Sequence, residues 1–315
     1  MKSGYAPRSA GSYCPVVVME GGKQARMAEQ CEKQENNSFQ YRGMRISIVY
    51  EDNHLLSAVK HPGILSQEDD TADADMLTIL KQYLKEKYHK PGNVYLGLVH
   101  RLDRPVGGVM VFGKTSKAAG RLSEQIRARQ FHKTYCAVVY GRLQQPEGRL
   151  EHDIFKDSRS NRVRVEDVKT TAEAGIQNGN SAADGPGFSA GSGTGTREGA
   201  GTAAGIAKNR AILDYQELAY RREENASLIR INLITGRPHQ IRAQFAHIGH
   251  PVVGDRKYGR EQASGSAWTA GVSWPALWAY AIELKHPVSG DPLRLEAAWP
   301  HAASPWALFN DLNLK

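Results

Sequence analysis

Apolar and polar positions change period several times along the chain, and each change marks an element. Short apolar runs at 46–50 and 55–59 are separated by Glu51-Asp52-Asn53-His54, a turn signal, and predict two strands. Residues 75–88 shift to helical spacing, with Leu77, Leu80 and Leu84 at i, i+3 and i+7, and Pro91-Gly92-Asn93 ends that helix. Apolar runs at 95–99 and 109–112 predict buried strands on either side of a turn-rich decapeptide. Residues 115–130 predict a second helix, capped by Thr115 or Ser116, with Ala118, Leu122 and Ile126 as its stripe. A strand at 135–140 ends at Gly141, and 228–235 alternates Ile229, Ile231 and Leu233 against Arg230 and Asn232 as a half-buried strand. Pro238 and Gly249 bracket a third helix whose core face holds Ile241, Phe245 and Ile248. Arg242 lies about 100° around from Ile241, at the edge of that face. Closing strands are expected at 277–284 and 293–297.

Strands outnumber helices and follow one another through short turns, which predicts a mixed α+β sheet, and 315 residues are enough for one or two domains. Two stretches lack any period. Residues 1–40 are rich in Gly, Ser, Gln, Glu and Lys and read as a poorly ordered leader. Its one continuously apolar run, Val16-Val17-Val18-Met19, is too short for a signal-peptide core. Residues 168–208 interrupt the domain, which is expected to span 41–310. Ten of the 31 glycines lie within 170–205, with almost no large apolar side chain, so disorder is expected there. No separate small domain is recognised before Ile46.

These two stretches account for an apolar fraction of 40%, which is low for a compact globule. The net charge of +8 favours a polyanionic partner. Cys14, Cys31 and Cys136 form no CxxC or zinc-type spacing, and an odd scattered count suits a reducing cytoplasm. No apolar run approaches the roughly 20 residues of a membrane span. With no heptad and no exposed apolar stripe, a monomer is expected.

The decapeptide His100-Arg101-Leu102-Asp103-Arg104-Pro105-Val106-Gly107-Gly108-Val109 carries the densest chemistry. Flanking guanidiniums favour an ionised Asp103, and Arg101 and Arg104 are equally suited to gripping phosphates. On spacing alone a solvated charge cluster on a turn fits as well. The decapeptide resembles, however, the His-Arg-Leu-Asp signature of the RluA-type pseudouridine synthases. Two more segments match in order: Lys133-Thr134-Tyr135-Cys136-Ala137, and Gly236-Arg237-Pro238-His239-Gln240-Ile241-Arg242 running on to Gly249-His250-Pro251 and Gly254-Asp255-Arg256-Lys257-Tyr258-Gly259. The resemblance covers residues 46–300 apart from the insertion.

The resemblance implies a single domain with a long, mainly antiparallel mixed sheet, flanking helices and a central catalytic cleft. It implies conversion of specific uridines in rRNA or tRNA to pseudouridine on a flipped-out base. Net composition does not change in that isomerisation, so no cofactor is expected. By resemblance Asp103 is the essential carboxylate, as nucleophile or as base in an elimination route. Arg242 is its charge partner, and Tyr135 contacts the target base. Arg101 fills the place that the base vacates, which costs a few kcal/mol to open. His100, Arg104, Lys133, Arg237, His239 and Gln240 complete the expected RNA contacts. Around His239, His247 and His250 no carboxylate or cysteine pattern completes a metal site, so no metal is expected.

The sequence departs from the family where Val106-Gly107-Gly108 stands in place of a hydroxyl residue, Ser and Gly. It also shifts the proline in Lys60-His61-Pro62-Gly63 and carries Trp278 in place of a frequent histidine. These changes leave the RNA target open. Two competing functions remain at this stage: a non-catalytic RNA-binding protein, which would not need Asp103, Tyr135 and Arg242 together, and a nucleoside or glycoside hydrolase, although a glycosidase usually needs two facing carboxylates and only Asp103 stands out.

Overall fold

The computed structural model describes residues 15–18, 38–71, 73–157, 162–168, 209–259, 267–269 and 271–312. Its strands are β1 (Pro15–Val18), β2 (Ser38–Tyr41), β3 (Met44–Glu51), β4 (Leu55–Lys60), β5 (Gly97–Leu98), β6 (Gly107–Gly113), β7 (His132–Tyr140), β8 (Glu147–Asp157), β9 (Arg162–Asp167), β10 (Arg210–Arg221), β11 (Ala226–Leu233), β12 (Leu277–Lys285) and β13 (Pro292–Ala297). Three α-helices accompany them among the described residues: α1 (Met76–Lys87), α2 (Ser116–Arg127) and α3 (Gln240–His247).

All strands join one sheet, whose main path runs β2-β3-β4-β6-β12-β7-β11-β10-β8-β9. Its ladders are antiparallel except for the short parallel contact of β12 with β6, Trp278 opposite Gly107 and Ala279 opposite Gly108. The long, mainly antiparallel sheet expected from the resemblance is therefore present. The strand β12 is its crossing point. It pairs β7 along most of its length, β6 at its start and β13 at its end.

Helix periodicity translated well into caps and core faces. Asp75 caps α1 by accepting from the Thr78 amide at 3.1 Å, and Thr115 caps α2 by accepting from Ala118 at 3.1 Å. The buried face of α1 is broader than the leucine stripe, because Met76, Ile79 and Tyr83 join Leu80 and Leu84 while Leu77 is half-buried. Helix α3 departs further from expectation. Its first six residues, Gln240 to Phe245, are all buried, including Arg242. The pattern of one apolar face fails here because three polar side chains, Gln240, Arg242 and Gln244, find hydrogen-bond partners inside the protein rather than in water, with only Gln244 Oε1 left over.

Two expectations need correction. The run at 95–99 is not a buried strand: only Gly97 and Leu98 pair, and Tyr95 is half-exposed. A strand there would have to fit against α2, where Gly97 already lies close to Ala119. Within the expected leader, Pro15–Val18 pairs β13 from Pro15↔Ala297 to Val18↔Arg294, and Ser38–Tyr41 pairs β3. The run of three valines favours an extended strand, and an edge is available for it to add to. The remainder of 1–37 and all of 169–208 lie outside the described residues. Among the described residues no helix is long and apolar enough to cross a membrane.

Candidate active site

Asp103 sits on the loop between β5 and β6, and that loop is held from several sides. Ser66 accepts from the Leu102 amide at 3.1 Å and donates to the Leu102 carbonyl at 2.8 Å. The Val106 amide donates to the Asp103 carbonyl at 2.9 Å, closing the turn. Beneath it lies the fully buried Lys60, whose Nζ donates to the carbonyls of Arg104 at 3.0 Å and Val106 at 2.7 Å. Burial pushes the Lys60 amine down to about 7, partly countered by the charge of Asp103.

Two of the sequence departures prove to be spatial neighbours. A side chain on Gly107 would meet the Trp278 ring at 2.3 Å and Pro62 at 2.9 Å. Trp278 thus fills the space that a larger residue at position 107 would take, and its indole donates to the Ala297 carbonyl at 2.9 Å. Gly108 has φ +128, and a Cβ there would strike the Ala279 backbone, so the loop exit needs glycine.

The guanidinium that reaches Asp103 comes from α3, 139 residues along the chain. Arg242 Nη1 donates to Asp103 Oδ2 at 3.2 Å. Its other edge grips Asp255, with Nε to Oδ2 at 2.6 Å and Nη2 to Oδ1 at 2.8 Å. Asp255 also accepts from the amides of Lys257 and Tyr258 at 2.9 and 3.2 Å. The Tyr258 ring packs under the guanidinium, 5.3 Å from its carbon. Burial works against the charge of Arg242, but its bonds to Asp255 and the charges of Asp255 and Asp103 outweigh it and hold its pKa above the usual value.

Tyr135, on β7, lines a recess of about 90 Å³ together with Asp103, Val106, Lys133, Ile241 and Arg242. Burial, and then the negative charge of Asp103, push its phenol pKa up, so it stays protonated at neutral pH. The recess opens onto a groove of about 1850 Å³ whose wall includes Arg101, Arg129, Lys133, Lys156, Arg230 and Arg237. The groove's lining holds eight Lys and Arg side chains against six Asp and Glu, a positive balance that with the small acid-bearing recess suits a polyanion that inserts one group.

The structure treats the other expected contacts unequally. Arg101 is exposed at the mouth of the recess, and Lys133, Arg237 and His239 line both recess and groove. Lys133 is held below its ordinary pKa by burial. His239 accepts φ +53 and shares a 2.7 Å hydrogen bond with the Tyr258 hydroxyl. Arg104 also lines the groove, but it is engaged by Asp73 at 2.6 Å and the Gly63 carbonyl at 3.2 Å. His100 is buried, with Nε2 accepting from the Val111 amide at 3.0 Å, and burial pushes it down to about 3. Gln240 is buried too, bonding Thr235, the Arg237 amide and the Ile212 carbonyl at 2.9–3.0 Å. These two side chains organise the loops beside the recess rather than its surface.

Asp255, Tyr258 and Lys60 were not singled out as site residues from the sequence. The one signal for Asp255 and Tyr258 was their place in the third matching segment. For Lys60 no local pattern distinguishes a fully buried lysine from an exposed one.

Residues 54–247, well over half the chain, match the family described as RNA pseudouridylate synthase. The chain is 29% identical over 264 residues to tRNA pseudouridine synthase C of Pectobacterium carotovorum, covering 83% of this chain and 60% of that protein. It is 29% identical over 295 residues to ribosomal large subunit pseudouridine synthase D of Nitrosomonas europaea, covering 93% and 72%. The chain thus spans between 60% and 72% of these relatives' lengths. In fold it is similar to human RNA pseudouridylate synthase domain containing 4, with a TM-score of 0.56 at 19% identity, covering 81% of this chain and 89% of that one.

Proposed function

Because the chain belongs to the RNA pseudouridylate synthase family, we propose that Asp103 is the carboxylate with which it isomerises uridine to pseudouridine in RNA. The protein is an isomerase: the glycosidic bond breaks, the uracil turns, and a carbon–carbon bond forms at the same sugar carbon. The observation that carries the assignment of Asp103 is its geometry, an acid at the mouth of a recess held by a guanidinium that is itself anchored elsewhere.

The target uridine leaves its helix and enters the recess, with Arg101 occupying the gap it vacates. Asp103 then attacks the sugar carbon or removes a sugar proton. Arg242 orients it through the hydrogen bond from Nη1 to Asp103 Oδ2. The protonated phenol of Tyr135 contacts the uracil and, by hydrogen bonding to the reattached ring, assists loss of the carbon-five proton to water. Lys133, Arg237 and His239 meet the RNA backbone along the groove, with Arg104 and the loop-ordering His100 and Gln240 supporting them.

Named relatives act on tRNA and on the large ribosomal subunit. We assign this chain an rRNA or tRNA substrate, acted on in the cytoplasm by a monomeric catalytic unit whose sheet includes Pro15–Val18 and Ser38–Tyr41 as well as the strands after residue 41. Tritium release from RNA labelled at carbon five of uridine tests the reaction. The parent protein should release tritium and form no free uracil, whereas Asp103→Asn should bind RNA and release none. Retention of a tenth of the parent rate in that variant would remove Asp103 from its role.

A further inference from the structure

Away from the recess, β8, β9 and the last turn of α3 bring together two histidines and an aspartate that the sequence separates widely. His152 and Asp167 are direct cross-strand partners in the β8–β9 ladder. His247 closes α3 against them. Its Nε2 lies 3.0 Å from Asp167 Oδ1, and His152 Nε2 lies 3.7 Å from the same oxygen. The three ligand atoms all fall within 4.8 Å of one another, and the two imidazoles meet edge to face with centroids 5.0 Å apart.

We propose that His152, Asp167 and His247 bind a divalent transition-metal ion of the zinc class. Two imidazole nitrogens and one carboxylate oxygen are a common zinc set, with the fourth position left to water. Tetrahedral bonds of about 2.0–2.1 Å place ligand atoms about 3.3 Å apart, so small side-chain rotations suffice. His152 is fixed on a paired strand and buried, whereas Asp167 and His247 are solvent-accessible and give the ion a way in. Binding displaces the proton from each Nε2, leaving the neutral imidazoles protonated at Nδ1.

A second observation concerns the shell behind His152. The fully buried Gln244 points its amide at His152 Nδ1, with Nε2 at 2.9 Å, while its Oε1 is buried without a partner. In this arrangement Nδ1 accepts, which leaves the proton on Nε2. Turning the amide over places Oε1 on Nδ1–H, the partner a zinc-bound histidine needs, at the expense of the bonds from Gln244 to the Ala211 and Leu150 carbonyls at 3.2 and 3.4 Å. The ion is thus expected to change the Gln244 amide as it binds. It would tie the β8–β9 hairpin to α3, the helix that carries Arg242 five residues earlier.

The test uses the full chain stripped with EDTA, then titrated with Zn²⁺ by calorimetry and followed by thermal melting. One saturable site should appear, and the melting temperature should rise by roughly 5 °C at a hundredfold excess over Kd. Asp167→Asn and His247→Gln, both at accessible positions, should fold normally and weaken the site by roughly tenfold or more. His89→Gln, at an exposed histidine outside the cluster, should bind Zn²⁺ like the parent. Absence of a saturable site, or binding by both cluster variants equal to the parent's, overturns the proposal. These readouts do not depend on turnover, so their failure leaves the isomerase assignment intact.

Discussion

Arg242 has two carboxylate neighbours, and they live in different worlds. Asp255 has no side-chain exposure and takes two bonds of 2.6 and 2.8 Å, plus two backbone amides. Asp103 is 28% exposed and takes a single bond of 3.2 Å. One acid spends its lone pairs on holding the arginine. The other keeps an oxygen edge open to the recess. A pair of carboxylates on one guanidinium therefore divides into an anchor and a reagent, and burial decides which is which.

Removing the reagent should have the largest effect on turnover and the smallest on folding. Asp103→Asn should lose activity by on the order of 10⁴-fold or more in single-turnover tritium release. Asp103→Ala should change urea stability by about 1 kcal/mol or less, as for other partly exposed pairs. Removing the anchor should reverse that balance. Asp255→Ala leaves a buried guanidinium with one long bond, and breaking a buried pair costs about 3–5 kcal/mol. Similar stability losses for the two alanine variants would mean that the acids do not divide the work as described.

A subtler contrast separates gripping RNA from opening it. Arg101→Ala should slow a structured stem-loop substrate more than a short unstructured oligomer, because only the first needs its base extruded. Equal defects that vanish at low salt would leave Arg101 as an electrostatic contact alone.

The smallest effect probes what holds the Asp103 loop. Burial lowers the Lys60 pKa from 10.5 to about 7. Between those values the unfolded chain carries a proton that the folded chain lacks. Stability should therefore rise as pH rises from about 7 towards 10, and stay level at its lower value below about 7. Lys60→Met should flatten that part of the profile in urea titrations. It should also slow turnover severalfold, since the Arg104 and Val106 carbonyls lose their shared donor. An unchanged slope in the variant would locate the proton elsewhere.

The metal expectation shows how far local reading reaches. Around His247 the sequence offers no carboxylate at ligand spacing. The one that completes the cluster, Asp167, lies 80 residues earlier and arrives through the β8–β9 ladder. Trp278 and Gly107 read as two unrelated departures, yet one fills the space the other leaves.

What the sequence by itself determined was local. Apolar runs and periods of 2 and 3.6 located seven of the thirteen described strands and the three described helices, because a residue's neighbours at those spacings share its face in any fold, whereas β8, β9 and β10 went unread. The matching segments marked Asp103, Tyr135 and Arg242. Only the tertiary structure decided the central seat of β12, the partition of Arg242 between two acids, the burial of Lys60, His100 and Gln240, and the meeting of His152 with His247. Each of these depends on which distant strands pair. That pairing is set by the burial of apolar surface summed over the whole sheet, and no short window of sequence contains it.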